Sequence, residues 1–241
     1  MLVTVNQSLN SEASVNICKT FGVCVVICLL PLGGCSENKD SRTRDMWNFD
    51  RTLERANAGD AMAQYDLGVM YDNGKGVQED QTEAVKWYRM AAEQGDADAQ
   101  HNLGVMYDNG AGVPQDLAEA VKWHRKAAEQ GKAFAQLRVG EMYSTGRGMP
   151  ADGAEAVKWY RMAAEQGDAD AQQALGVMYF NGAGVPEDDV EAYAWFSVVA
   201  TGGQIRGEKF RDSVKEQLTA EQLAEAQKRA TELFEKYGSG K

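Results

Sequence analysis

The sequence predicts an all-α fold, a solenoid of antiparallel helix pairs, and three observations carry that expectation. Trp87, Trp123, Trp159 and Trp195 return at a fixed interval of 36 residues, as do Tyr71, Tyr107, Tyr143 and Tyr179. Four acidic helix-start signals stand in the same register, at Asp80-x-x-Glu83, Asp116-x-x-Glu119, Asp152-x-x-Glu155 and Asp188-x-x-Glu191. Alternating Val/Ile/Thr-rich runs, the mark of strands, are absent after the first 35 residues. A fixed repeat of this length means one supersecondary unit copied and stacked, because a lone unit cannot bury its apolar face.

Each unit reads as two helices. In the first, Ala63, Leu67, Met70 and Tyr71 share one helical face, which is core. Gly68, Gly104, Gly140 and Gly176 lie inside these first helices, where glycine costs about 1 kcal/mol of helix propensity, so their recurrence predicts that another helix approaches there. Paired glycines, Gly74/Gly76 and their equivalents, follow as turns needing positive φ; they come after a helix and lack the lysine of a phosphate-binding loop. Each acidic signal then predicts an N-cap aspartate with a reciprocating glutamate. The same carboxylate pairs could be drawn as acid/base dyads, but capping explains both their spacing and their place. The second helix carries Ala84, Trp87, Tyr88, Ala91 and Ala92 on one side, and Gly95, Gly131, Gly167 and Gly203 stop it at C′.

The pattern A-x-A-Q-x-x-L-G-x-M-Y-x-x-G-x-G-V-x-x-D-x-x-x-A-V-K-W-Y-x-x-A-A-E-Q-G, read from Ala61 to Gly95, resembles the Sel1-like repeat, a relative of the tetratricopeptide repeat. All four units match it. Val139 stands for the leucine, Met149 for the valine after the second glycine, and His124 or Phe196 for the tyrosine after tryptophan. The resemblance implies a right-handed superhelix whose first helices line a concave side. It also implies a non-enzymatic role in protein–protein recognition. Some envelope members of the family are similar to immunity proteins against phospholipase-type effectors. A cysteine-rich branch is linked to β-lactam binding, but its paired cysteines have no counterpart here, and binding of cell-wall glycan is a third alternative.

The same comparison separates positions that recur from positions that vary. Opposite the core face of each first helix, the sets Met62, Tyr65, Val69, Asp72; Asp98, His101, Val105, Asp108; Phe134, Leu137, Glu141, Ser144; and Asp170, Gln173, Val177, Phe180 differ between copies. Tyr65, His101, Phe134, Leu137 and Phe180 are therefore the candidate contacts for a protein partner, since interface hot spots favour such side chains. Helices about 10 Å apart would give a face some 40 Å long, enough for roughly 800 Å² per partner.

The first 45 residues read as an address. Lys19 precedes an apolar run from Phe21 to Leu32, too short for a membrane span of roughly 20 residues and broken by Pro31, Gly33 and Gly34. Leu32-Gly33-Gly34-Cys35 resembles a bacterial lipobox. That likeness implies cleavage before Cys35, lipidation of its thiol, and an outer-membrane lipoprotein facing the periplasm. Two or more acyl chains, at about 0.8 kcal/mol per buried methylene, would make the anchorage durable. The expected organisation is a signal peptide over 1–34, a lipidated tether over 35–45, an N-terminal capping helix over 46–60, four repeats over 61–204 and C-terminal capping helices over 205–241. Within the last, Ile205 to Lys215 forms one helix and the Thr219-x-x-Gln222 box opens another.

Charge and composition narrow the partners. A formal charge of −11 disfavours nucleic acid, which demands clustered Lys and Arg. Cys18, Cys24, Cys28 and Cys35 all precede the repeats, so no disulfide staples the body. His101 and His124 are the only histidines and have no Cys or His neighbour at ligand spacing, so neither a metal nor another cofactor is expected. No serine or cysteine nucleophile with a positioned base stands out.

Overall fold

A computed structural model describes the backbone of residues 41–203 and 205–238, with side chains from residue 48 onward. The signal peptide, most of the tether and Cys35 lie outside the described residues. Among the described residues eleven helices follow one another: α1 (Ser41–Asn57), α2 (Ala61–Asn73), α3 (Gln81–Glu93), α4 (Ala97–Asn109), α5 (Leu117–Glu129), α6 (Ala133–Thr145), α7 (Gly153–Ala164), α8 (Ala169–Asn181), α9 (Asp189–Thr201), α10 (Ile205–Lys215) and α11 (Ala220–Tyr237). No strand occurs among the described residues. None of these helices is long and apolar enough to cross a membrane. The helix ahead of the repeats starts at Ser41, within the stretch read as tether.

Each repeat is a hairpin, α2/α3, α4/α5, α6/α7 and α8/α9, and each second helix also packs on the next first helix. The predicted core is buried apart from Tyr71 and Trp87, which are half-buried. Ala63, Leu67 and Met70 are buried, as are Ala84, Tyr88, Ala91 and Ala92. Trp87 and Trp159 are half-buried, packed on the junctions of α1 with α2 and of α5 with α6, whereas Trp195 is sealed. The interior glycines admit an aromatic ring. A methyl group at Gly68 would lie 2.5 Å from the Tyr88 ring, and His124, Tyr160 and Phe196 crowd Gly104, Gly140 and Gly176 likewise.

The turns obey the expected chemistry with one correction. Gly95 has φ +97° and closes a Schellman motif, its N–H donating to the Ala92 carbonyl and that of Asp96 to the Ala91 carbonyl. The four aspartates cap as predicted, Asp80 accepting from the N–H groups of Thr82 and Glu83. The reciprocating half is missing. Asp80, Asp116, Asp152 and Asp188 give their own N–H to the carbonyls of Tyr71, Tyr107, Tyr143 and Tyr179, which leaves no donor for the glutamate. Glu83, Glu119 and Glu155 turn instead to Lys86, Lys122 and Lys158 one turn on. Only the Thr219/Gln222 box is complete among the described residues.

Two devices hold the stack in register. Gln64, Gln100, Gln136 and Gln172 are buried and donate to the carbonyls of Ala56, Ala92, Ala128 and Ala164 across each inter-hairpin turn. The first three also accept from Gln94, Gln130 and Gln166. Buried amides that satisfy each other this way tolerate no slip, because a shifted hairpin would strand both partners. On another side Arg89, Arg125 and Arg161 donate to the hydroxyls of Tyr107, Tyr143 and Tyr179 in the following hairpin.

α11 closes the end of the array along α9. Arg229 pairs with Glu191 at 2.6 Å, Leu233 and Ala226 are buried, and the Tyr237 ring stacks on Trp195 at 6.2 Å. α9 is built to receive it. Its stripe Ala194, Val198, Gly202 replaces Lys86, Met90, Gln94 of the first unit, so short side chains stand where long ones screen the surface. Gly202 has no side-chain amide to offer Gln172, which donates to the Tyr237 carbonyl at 3.1 Å.

Candidate functional site

Asp60, Asp96 and Asp168 cap α2, α4 and α8, but Lys132 makes no cap for α6 and instead reaches Asp98 at 2.8 Å. These starts aim the variable rows to one side of the array, the first-helix face. Its residues are less exposed than their spacing alone predicts. Phe134 is 38% exposed and Met62 64%, while Tyr65, Leu137 and Phe180 are half-buried against the hydrophobic clusters beneath them. A single helix seen end-on cannot show that neighbouring hairpins cover part of each such side chain.

Three of the candidates meet in two groups. His101 lies between His124, centroid to centroid 4.9 Å, and Phe134, 4.5 Å and edge to face. This stack spans the junction of the second and third repeats. Tyr65 packs against Tyr88 at 6.0 Å, and burial with the Asp98 and Asp96 carboxylates beside it raises its hydroxyl pKa. Leu137 and Phe180 do not join either group.

The stack carries unusual electrostatics. His124 is wholly buried, and neither of its ring nitrogens has a partner; His101 Nδ1 is likewise unpartnered. Burial, followed by the neighbouring cations, lowers the pKa of His101 to about 4 and that of His124 to about 3. Where tyrosine fills this slot, its hydroxyl meets the same first helix, as Tyr88 meets Asp72 at 3.5 Å. With His124 there instead, Asp108, only 4% exposed, takes Arg147 of the following repeat at 2.9 Å, and Arg138 stands at 3.9 Å. The Asp108 to Arg147 pair and the glutamine ladder were not foreseen. For the ladder, the signal was the glutamine that recurs in all four copies of A-x-A-Q.

Hairpins stacked in a 36-residue register with a variable face define a helical-repeat solenoid. Comparison with known proteins names its kind. The model of the Sel1 repeat matches residues 61–96, 97–132, 133–168 and 169–201, and the chain belongs to that family. No curated protein sequence matches it. A protective antigen of uropathogenic Escherichia coli displaying an SLR fold is 34% identical with a TM-score of 0.72, over 84% of this chain and 47% of that one. The chain thus spans about half that antigen's length. A Sel1 repeat protein from Oxalobacter formigenes is 33% identical with a TM-score of 0.69, over 80% of this chain and 81% of that one. Sel1-repeat proteins are typically protein-interaction scaffolds.

Proposed function

We propose that this chain is a non-catalytic scaffold that holds a protein partner on its first-helix face while a lipid on Cys35 anchors it in the bacterial envelope, facing the periplasm. The observation that carries the binding reading is the contrast within one molecule: the core alanines, the second-helix aspartate caps and the buried Gln64, Gln100, Gln136 and Gln172 repeat in all four copies, and the first-helix face does not. Phe134 offers an exposed aromatic edge held rigid by His101, the kind of preorganised anchor that concentrates binding energy. The anchoring reading rests on the Leu32-Gly33-Gly34-Cys35 sequence.

Crosslinking in intact cells from photoreactive groups at Tyr65, Phe134 and Phe180 tests the first reading. One protein recovered in stoichiometric amount, and lost on Phe134→Ala, is the expected result; equal recovery from all three alanine variants would overturn it. For the second, palmitate should label the chain and Cys35→Ala should remove the label. Labelling that survives this substitution would refute the anchor.

A further inference from the structure

The first-helix face runs one helix beyond the four family units. Gly207 of α10 falls in the frame of Ala63, Ala99, Ala135 and Ala171 and is buried as they are. That register puts Arg206 in the row of Met62, Asp98, Phe134 and Asp170, and Lys209 in the row of Tyr65, His101, Leu137 and Gln173. At the second junction these rows close on each other, His101 against Phe134. Between α8 and α10 they stand apart. A depression of about 520 Å³ opens there, lined by Gln173, Arg206, Lys209, Phe210 and Ser213.

Its chemistry runs against the net charge of the molecule. In a chain of net charge −11, Lys86, Lys122, Lys132, Lys158, Arg138 and Arg147 are all paired with carboxylates. Arg206 and Lys209 meet none among the described residues, and no acid lines the depression. Two like charges three residues apart on a helix sit about 5–6 Å apart at Cβ and destabilise it unless something answers them. Beside them Phe210 is 42% exposed, its ring fixed by stacking on Phe196 at 5.1 Å, and Ile205 is 70% exposed.

We propose that this depression anchors an acidic segment of the protein partner. Two side-chain carboxylates meet Arg206 and Lys209, the Gln173 amide and Ser213 hydroxyl complete their hydrogen bonds, and an apolar side chain between them covers Phe210. Charge complementarity selects this occupant, because two separate cations flanking a ring match acidic residues flanking an apolar one. The proposal rests on the partner-binding reading above and names the partner's chemistry.

A fluorescein-labelled peptide, acetyl-Glu-Glu-Phe-Glu-Glu-amide, tests it by anisotropy with the purified full chain. Binding should saturate below about 1 mM and weaken roughly tenfold in the Arg206→Gln/Lys209→Gln variant, as loss of two partly exposed charge pairs implies. Lys215→Gln should change nothing, and a peptide with Gln for Glu should bind the parent chain at least roughly tenfold more weakly. Absence of saturable binding, or equal affinity of the double variant, would overturn the proposal. So would binding to anionic phosphatidylglycerol vesicles, dependent on Arg206 and Lys209, in place of the peptide. Partner capture in cells separates the two readings. Capture lost with Phe134→Ala while the double variant keeps its peptide affinity removes the acidic anchor alone. Peptide binding lost in the double variant with no protein captured from any site removes the partner reading alone.

Discussion

Acid should loosen this protein through His101 and His124. Both are neutral in the folded chain, with pKa values lowered to about 4 and about 3 from 6.5. A lowered histidine pKa means that the unfolded chain takes up protons the folded one refuses, so stability is full above about pH 7 and falls as pH drops below 6.5. Between pH 7 and pH 5 each histidine should cost about 2 kcal/mol, roughly 4 kcal/mol together. Because pH 5 lies above both folded values, the loss is governed by the unfolded pKa. The groups facing the pair are Arg138, which reinforces the shift of both, and Asp98, which opposes that of His101. Asp66 and Asp72, raised by burial, work in the opposite direction and are held constant by the right control. That control is His101→Gln/His124→Phe, since Gln173 and Phe196 already occupy those two positions in the fourth repeat. Urea unfolding at pH 7 and pH 5 should show the control losing about 4 kcal/mol less than the parent. Equal losses in the two chains would refute the reasoning.

Gly68→Ala should destabilise, because its methyl would stand 2.5 Å from a Tyr88 ring that is buried and tied to Asp72. Overpacking of about 1–3 kcal/mol outweighs the roughly 1 kcal/mol of helix propensity gained, and a raised urea midpoint would contradict this. Lys132→Asn should restore the cap that α6 lacks, a gain of about 1 kcal/mol less up to about 0.5 kcal/mol for the exposed pair with Asp98; a lower melting temperature would count against it. Ala194→Lys/Val198→Met should undock α11 by rebuilding on α9 the long side chains of the earlier repeats. Hydrogen exchange should then speed over Ala220–Tyr237 while α2 to α8 stay protected, and unchanged protection of α11 would defeat the idea.

The hairpins were legible because each helix declares itself locally: the Asp80 cap, the Gly95 stop and the Ala63/Leu67/Met70 face need only their own neighbours in sequence. What lay beyond reach depends on contacts with other helices, from 8 to 39 residues away along the chain. Gln64 gains its role from Gln94 and Ala56, and Asp108 from Arg147. The failed reciprocity of Glu83 has the same origin, for the N–H it would have accepted from was already given to Tyr71 in the preceding helix. For the candidate face, helical spacing placed Tyr65 and Phe180 off the sealed core, but the neighbouring hairpins set how far each is covered.

Departures from the repeat are the places to look for function, provided the chain's own answers to them are subtracted first. Lys132 forfeits a cap and finds Asp98. Ala194 and Gly202 forfeit a lysine and a glutamine; α11 supplies Arg229 for Glu191, while the Tyr237 carbonyl accepts from Gln172 Nε2 and leaves Gln172 Oε1, which the lost amide would have answered, without a partner. His124 forfeits a hydroxyl, and the freed Asp108 finds Arg147. Besides Gln172 Oε1, two departures find no answer among the described residues: the ring nitrogens of His124, and the charges of Arg206 and Lys209, whose rows otherwise hold Met62, Asp98, Phe134 and Asp170, and Tyr65, His101, Leu137 and Gln173. The histidine is sealed from solvent, so nothing can reach it without opening the second hairpin. The two cations border an open depression that no acid lines, which sets that end of the face apart as the place where a partner's charge would decide binding.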